Sequence, residues 1–372
     1  MLKSGHNCIT LGLSGALLLV ALFVLPGCPR SNPGDEIRVR ISDEGGGEAV
    51  KAPSEEDLVK LARSEGEVTW FTSITASEAG AFVKRFEAKY PGVTVRLVRG
   101  GTFDLVDRIQ REVNVGSPQA DVLHVLDPAI FVQLRERGEL ALYEPPTAAA
   151  IPPEYKDPGY WTAARLVTIG LAYDARKLGV ATAPKSWSAL LNPRWNGKLG
   201  LKDAQSAGSA YAQYYFLREK YGVSYWEQMA KLNPRIYKTE DNLLAALRAG
   251  EIQVAAGIIV RKLQGADEQR LRTLWPEDGV PLVPGPVGIL SRAPHPNAAR
   301  LFVNYTLSAD GQAALRDLLG AYSARPDVKA PDGWPPLNSL SLLRPDNGWG
   351  EYLSKQGQLR EEYTRLFHGE SE

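Results

Sequence analysis

Ala163-Ala164-Arg165-Leu166-Val167-Thr168-Ile169, running on into Gly170-Leu171-Ala172-Tyr173-Asp174, lies near the middle of the chain, and its reading decides the fold. Thr168 to Tyr173 reads as a strand, and a similar run of strands and helices stands on each side of it. Upstream, a short helix containing Leu58, Val59, Leu61 and Ala62 precedes the strand Val68-Thr69-Trp70-Phe71-Thr72. Ala81, Phe82, Phe86 and Tyr90 then recur at helical spacing from about Ser77, and Pro91-Gly92 stops that helix. Strand Val93 to Val98, helix Phe103 to Val113, strand Asp121 to Val125 and helix Ala129 to Arg137 follow.

Downstream, Trp187 to Leu191 is a short helix, Lys198 to Leu201 a strand, Gly208 to Tyr221 and Leu243 to Ala249 helices, and Gln253 to Ile259 a buried strand. Val280 to Leu290 reads as a strand returning to the first set. A helix with Ala298, Leu301, Phe302 and Tyr305, and another from Gly311 to Leu319, close the sequence. Alternating strands and helices imply an α/β chain with parallel pairing in doubly wound, mixed sheets. One lobe is built from both ends of the chain, 56–164 and 283–372 with the C-terminal helices, and the other from 165–282. Two segments must then cross between lobes, near Ala163 to Ile169 and Pro281 to Gly288, and act as hinges around an interlobe ligand cleft.

The start of the chain sets the compartment. Lys3 is followed from Ile9 to Val24 by a run of apolar residues broken only by Thr, Gly and Ser. The run is shorter than the roughly 20 residues a membrane span needs, and it fits the apolar region of a signal peptide over 1–27. Leu25-Pro26-Gly27-Cys28 resembles a bacterial lipobox, which implies lipidation of Cys28; an uncleaved anchor or ordinary cleavage are the alternatives. Residues 28–55, rich in Gly, Pro, Ser, Asp and Glu, read as a flexible tether with a reach on the order of 25–30 Å.

Composition narrows the function. The two cysteines, Cys8 and Cys28, both lie at the signal, so the globular portion has no disulfide, no thiolate metal site and no cysteine nucleophile. Lys plus Arg and Asp plus Glu balance at 43 each with no basic block, which disfavours nucleic acid as a partner. His124, His295 and His368 are scattered outside any metal-ligand spacing, and neither a Gly-x-Ser-x-Gly elbow nor a phosphate-binding Gly-x-x-x-x-Gly-Lys loop occurs. No enzymatic activity, cofactor or resident metal is expected; a hydrolase with dispersed residues and a ligand-sensing module are the rivals from other classes.

An ordered set of motifs carries a family resemblance: Glu67-Val-Thr-Trp-Phe-Thr-Ser73, Pro118-Gln-Ala-Asp-Val-Leu123 leading to Asp127, Gly170-Leu-Ala-Tyr-Asp174, and the segment from Pro184 to Lys198. Ser206-Ala-Gly-Ser-Ala-Tyr211, Trp275-Pro-Glu-Asp-Gly279 and Ala293-Pro-His-Pro-Asn297 complete it. The set resembles the ferric-ion and organic-solute branch of the type 2 periplasmic binding proteins, receptors of ATP-driven (ABC) importers. The resemblance implies the two-lobed periplasmic binding protein type 2 fold and capture of a small solute. It also implies delivery to permease subunits by an exported monomer, lipid-anchored to the membrane through Cys28 and facing the periplasm or cell exterior.

Candidate ligand contacts follow from the residues themselves. Ser73 and Thr75 follow the first strand and offer hydroxyls either to a ligand or as helix caps. Gly100, Gly101 and Thr102 precede a helix and either form a plain turn or present amides to an anion. Ser206-Ala207-Gly208-Ser209 lets amides and hydroxyls approach a phosphate or carboxylate closely, whereas an ordinary cap explains only one serine. Asp127 before Pro128 is a helix cap or, by the resemblance, stands where ferric-binding members place an acidic metal ligand. Arg165 lies near the expected hinge, two residues from the place where, by the resemblance, related receptors hold an anion with arginine, or else forms a surface ion pair.

The departures choose the cargo. Ferric-binding relatives use adjacent tyrosines just after the strand that here reads Gln253 to Ile259, and Val260-Arg261-Lys262 stands there instead. Their histidine after the first strand is also missing, since Phe71 to Ser77 contains none. Tyr214-Tyr215 lies inside a helix and reads as core packing. Ferric iron wants several anionic oxygen ligands, so the expected cargo is a small anionic organic solute, with ferric iron or an iron chelate as the alternative.

Overall fold

Ser54 caps the first described helix, α1 (Glu55–Glu65), by accepting the Asp57 N–H. Ser54 and Glu55, read from sequence as the end of the tether, therefore belong to the fold. The structure, a computed structural model, describes residues 54–261 and 270–369. The signal stretch 1–27, Cys28 and the tether as far as residue 53 lie outside the described residues.

The first half of the chain alternates as its apolar spacing dictates: β1 (Glu67–Thr72), α2 (Ala76–Lys89), β2 (Thr94–Arg99), α3 (Thr102–Asn114), β3 (Val122–His124) and α4 (Pro128–Glu136). Both β2 and β3 pair parallel with β1. After a short β4 (Lys156–Asp157), β5 runs unbroken from Trp161 to Asp174 with every residue buried. The segment expected to cross and the strand expected to follow it are one element.

The middle of the chain builds β6 (Leu199–Lys202), α5 (Gly208–Tyr221), α6 (Val223–Lys231), β7 (Arg235–Tyr237), α7 (Glu240–Ala249), β8 (Val254–Ile259) and β9 (Leu271–Leu274). Then come β10 (Val280–Ile289), α8 (Pro296–Leu307), α9 (Ala309–Leu319), β11 (Leu342–Leu343), α10 (Gly348–Ser354) and α11 (Gln356–Phe367). The strand order β2-β1-β3-β10-β5-β8-β6-β7 makes two sheets that share β5. Thr162 to Thr168 pairs antiparallel with β10, and Ile169 to Tyr173 pairs antiparallel with β8. The pairing is mixed because β10 runs antiparallel to β3 and β5, and β5 antiparallel to β8, while β6 pairs parallel with both β7 and β8.

Separate apolar cores underlie the two halves. Trp70, Phe82, Phe86, Phe302 and Tyr305 interlock with ring centroids 5.0–6.0 Å apart under the β1 side. Each such burial contributes about 1.5–3 kcal/mol. Under the β6 side, Trp187, Tyr211, Tyr214, Tyr215 and Trp226 pack with Tyr352 and Tyr363 of α10 and α11. The sequence reading ended its helices at Leu319; of the two further helices, α10 packs on α4 and α11 on α5 and α6.

Candidate functional site

The carboxyl ends of the strands from both sheets converge on one cleft, as open α/β sheets arrange their ligand sites. It encloses about 210 Å³, less than the pockets that hold drug-sized molecules. Ser73, Thr75, Thr102, Arg165, Ser206, Gly208 and Ser209 all line it.

On one wall, Thr72 at the end of β1 donates its hydroxyl to the His124 carbonyl and accepts the Ile74 N–H, turning the chain towards α2. Thr75 stands at the N-cap of α2, but its hydroxyl donates to Glu78 Oε2 at 2.6 Å and accepts no backbone N–H. Gly101 starts α3 with no side-chain cap. Across the cleft, Ala207 starts α5, also without a side-chain cap. The Ser206 hydroxyl donates to Asp203 Oδ2 at 3.0 Å. Two helix starts with uncapped first amides thus border one space, and helix N-termini favour anions.

Gly208 has a second role. A Cβ there would stand 2.6 Å from the Leu126 carbonyl oxygen and 3.2 Å from Asp127 Cβ, so glycine lets α5 meet the turn before α4. Asp127 itself sits behind that contact and does not line the cleft. It is fully buried, caps α4 by accepting the Ala129 N–H at 3.1 Å, and accepts Gln356 Nε2 at 3.3 Å. Burial outweighs these bonds and raises its pKa to about 7. Of the two roles left open by the sequence, the bond to Ala129 is the cap, and Asp127 stands outside the cleft lining.

Arg165 forms the floor. It lies on β5 opposite Gly285, where a Cβ would come within 2.9 Å of the arginine Cγ; glycine leaves room for the side chain. Arg165 is 8 % exposed, and its Nε is buried with no hydrogen-bond partner among the described residues. Burial lowers its pKa to about 10, with Glu78 and Arg261 acting in opposite directions, so it stays charged at neutral pH. A surface ion pair does not describe it.

The sequence reading missed the cleft's other charges. Arg261 Nη2 lies 3.3 Å from Glu240 Oε1, while Arg261 Nη1 reaches Glu78 Oε1 on α2 at 3.4 Å. Lys202 Nζ lies 3.2 Å from Glu240 Oε2, which also accepts the Ile259 N–H at 2.9 Å. Burial pushes the Glu240 pKa up, but Lys202, Arg261 and these bonds hold it below the usual carboxylate range. With Arg99 and Lys238, the lining has five cations against Glu78, Glu240 and Asp241. Arg99, Lys202, Lys238 and Arg261 stand at or just after the carboxyl ends of β2, β6, β7 and β8, which is the signal that would have found them.

Tyr214 and Tyr215 are buried in α5, where the Tyr214 hydroxyl donates to Glu362 Oε1 at 2.6 Å; neither lines the cleft. No tyrosine is among its lining residues, and among the described residues no group of three or more His, Cys, Asp or Glu side chains is placed to hold a metal.

A two-lobed α/β molecule with a cation-rich interlobe cleft is a solute receptor in form, and the matches agree. The chain belongs to the bacterial extracellular solute-binding proteins, whose family it matches over residues 117–339. A Salmonella typhimurium relative, provisionally named a 2-aminoethylphosphonate-binding periplasmic protein, is 28 % identical over 66 % of this chain and 73 % of its own length. A Sinorhizobium fredii relative, provisionally named an ABC transporter periplasmic-binding protein, is 27 % identical over 68 % of this chain and 73 % of its own. The iron-bound HitA structure from Pseudomonas aeruginosa superposes with a TM-score of 0.70 at 25 % identity, covering 80 % of this chain and 99 % of that one. The periplasmic binding protein AfuA from Actinobacillus pleuropneumoniae, with fructose 6-phosphate bound, gives 0.72 at 24 % identity over 82 % and 99 %.

Proposed function

We propose that this protein is the substrate-binding component of an ABC importer and that its cargo is a small organic anion with a phosphate- or phosphonate-like head. The observation that carries this reading is the buried Arg165 guanidinium, charged and with its Nε unpartnered, at the floor of the cleft. A buried guanidinium is costly to leave without a counter-charge, and an oxyanion in the cleft supplies one. The uncapped starts of α3 and α5 and the cationic excess of the lining support the same charge. The name of the Salmonella relative is in keeping with it.

In this reading Thr102, Ser209 and the α5 amides grip the head, Ser73 and Thr75 bound one wall, and the protein carries its ligand to permease subunits without converting it. The chain works outside the inner membrane as a monomer, with Cys28 lipidated, one lobe built from 54–164 and from 283 onwards and the other from 165–282, against which the last helix α11 packs. A Serratia marcescens relative, 25 % identical over 61 % of this chain and 70 % of its own, is named a Fe(3+)-binding periplasmic protein, so ferric iron is the competing cargo. A lining with five cations and no tyrosine is poorly suited to it.

Thermal unfolding against 2-aminoethylphosphonate, sugar phosphates, organic acids and ferric citrate separates the two. A ligand at a hundred times its Kd stabilises the fold by about 2.7 kcal/mol. We expect a phosphonate or phosphate to raise Tm in the wild type and to lose that effect in Arg165→Ala. A rise with ferric citrate alone overturns the anion reading.

A further inference from the structure

The last helix touches both walls of the cleft through one side chain. Arg360 on α11 donates from Nε to Gln205 Oε1 and from Nη2 to the Gln205 carbonyl, both at 2.9 Å. Gln205 returns the contact, its Nε2 donating to the Arg360 carbonyl at 2.6 Å and to Thr364 Oγ1 at 2.9 Å. The same guanidinium lies 4.7 Å from the ring centroid of Phe103 on α3. Gln205 is the residue before Ser206, and Phe103 the residue after Thr102, so the two walls are joined one residue behind their lining groups.

The rest of the segment fixes where Arg360 stands. Arg218 Nε and the Tyr214 hydroxyl hold Glu362 at 2.8 and 2.6 Å, and Tyr352 packs against Tyr211 and Tyr215 with centroids 4.8 Å apart. These contacts bind α10 and α11 to the α5 side. Towards the other side α10 packs on α4, and Gln356 donates to Asp127. The segment held in this way extends the Arg360 cation to an aromatic ring on α3.

We propose that Arg360 is a positioning residue of the ligand cleft: it holds the Gln205–Ser206 turn against Phe103, so that the C-terminal helix sets the resting gap between the walls and slows ligand escape. The proposal rests on the reading of the cleft as an anion site. The contact lies behind the lining, so its loss leaves the ligand's own partners in place and lets the walls part more readily. The effect falls on dissociation, as for contacts that tighten a formed complex.

The test uses full-length protein with Arg360→Ala, Arg360→Lys and Phe103→Leu, and 2-aminoethylphosphonate as the probe. Stopped-flow tryptophan fluorescence gives the two rate constants, small-angle scattering the radius of gyration without ligand, and urea melting a check on folding. Losing two charge-assisted hydrogen bonds and a ring contact should speed dissociation in Arg360→Ala by about tenfold or more with association little changed. Arg360→Lys, which keeps the charge but not the fork, and Phe103→Leu, which keeps an apolar residue, should fall between. The unliganded variants should scatter as larger particles. Unchanged dissociation in all three folded variants overturns the proposal, as does a fall in urea midpoint with no change in dissociation or size. If wild-type protein ignores the probe, the cargo is another compound than 2-aminoethylphosphonate, the anion reading is left to the thermal panel, and the scattering comparison alone decides on Arg360: larger variants uphold the clamp, unchanged ones overturn it.

Discussion

Asp127 and His124 sit three residues apart in the interior and pull the pH dependence of stability in opposite directions. His124 is fully buried with neither ring nitrogen bonded among the described residues, and burial holds its pKa well below the usual histidine value. It takes up a proton more readily in the unfolded chain, so acid below about pH 6.5 destabilises the fold through it. Asp127 behaves the other way. Its folded pKa of about 7 lies above the ordinary 3.8, so the folded state holds a proton that the unfolded state has lost. Stability through this group is greatest below 3.8, falls as pH rises to 7, and is level above that. Asn keeps an acceptor for the Ala129 N–H and carries no charge. Asp127→Asn should therefore match the wild type in urea near pH 4 and exceed it near pH 8, by up to about 4 kcal/mol. A stability difference that does not vary between pH 4 and 8 would sink this account.

At the scale of elements, the strand that leads to Arg261 depends on one glycine. Gly170 pairs with Ile258 and Leu171 with Ala256, which leaves Gly257 as the extra residue of a bulge in β8, at φ +85°. A Cβ there would lie 1.9 Å from Gln213 Oε1 on the buried face of α5. The left-handed backbone alone costs a non-glycine residue roughly 1–2 kcal/mol, and moving Gln213 adds to it, so Gly257→Ala should lose at least about 2 kcal/mol in urea unfolding. A midpoint equal to the wild type would show that the bulge tolerates a side chain.

Elements of this first kind were legible where burial repeats along the chain. Trp70, Phe82 and Phe86 announce their strand and helix, and so does the fully buried β5. The short β7 and β9, α6 and the two C-terminal helices were not. In α11 only Leu359 and Tyr363 are buried, and the helix is held by rings and ion pairs from α5 and α6 that no local pattern reveals. The candidate site divides the same way. Small and hydroxyl residues before helices mark themselves, whereas Lys202, Glu240 and Arg261 look like ordinary surface charges until three distant segments bring them together.

For the whole molecule, the join between the halves is the feature with the widest reach. Thr162 to Thr168 of β5 lies buried and ladder-paired against Leu282 to Val287 of β10, with one register shift at Gly285/Pro286 that leaves Ala164 unmatched. A bend spread as twist over several residues of such a ribbon need break no backbone hydrogen bond. As the hinge of the proposed receptor, this joint should be among the most protected parts of the fold. In native-state hydrogen exchange we expect the amides of Thr162 to Thr168 to open only with global unfolding, with and without ligand. Fast exchange there, quenched by ligand, would mean that the joint melts locally in order to move. Protection with and without ligand would instead make the proposed hinge a torsion spring: each half would return by itself to its resting angle, and ligand would only tip an elastic mechanism.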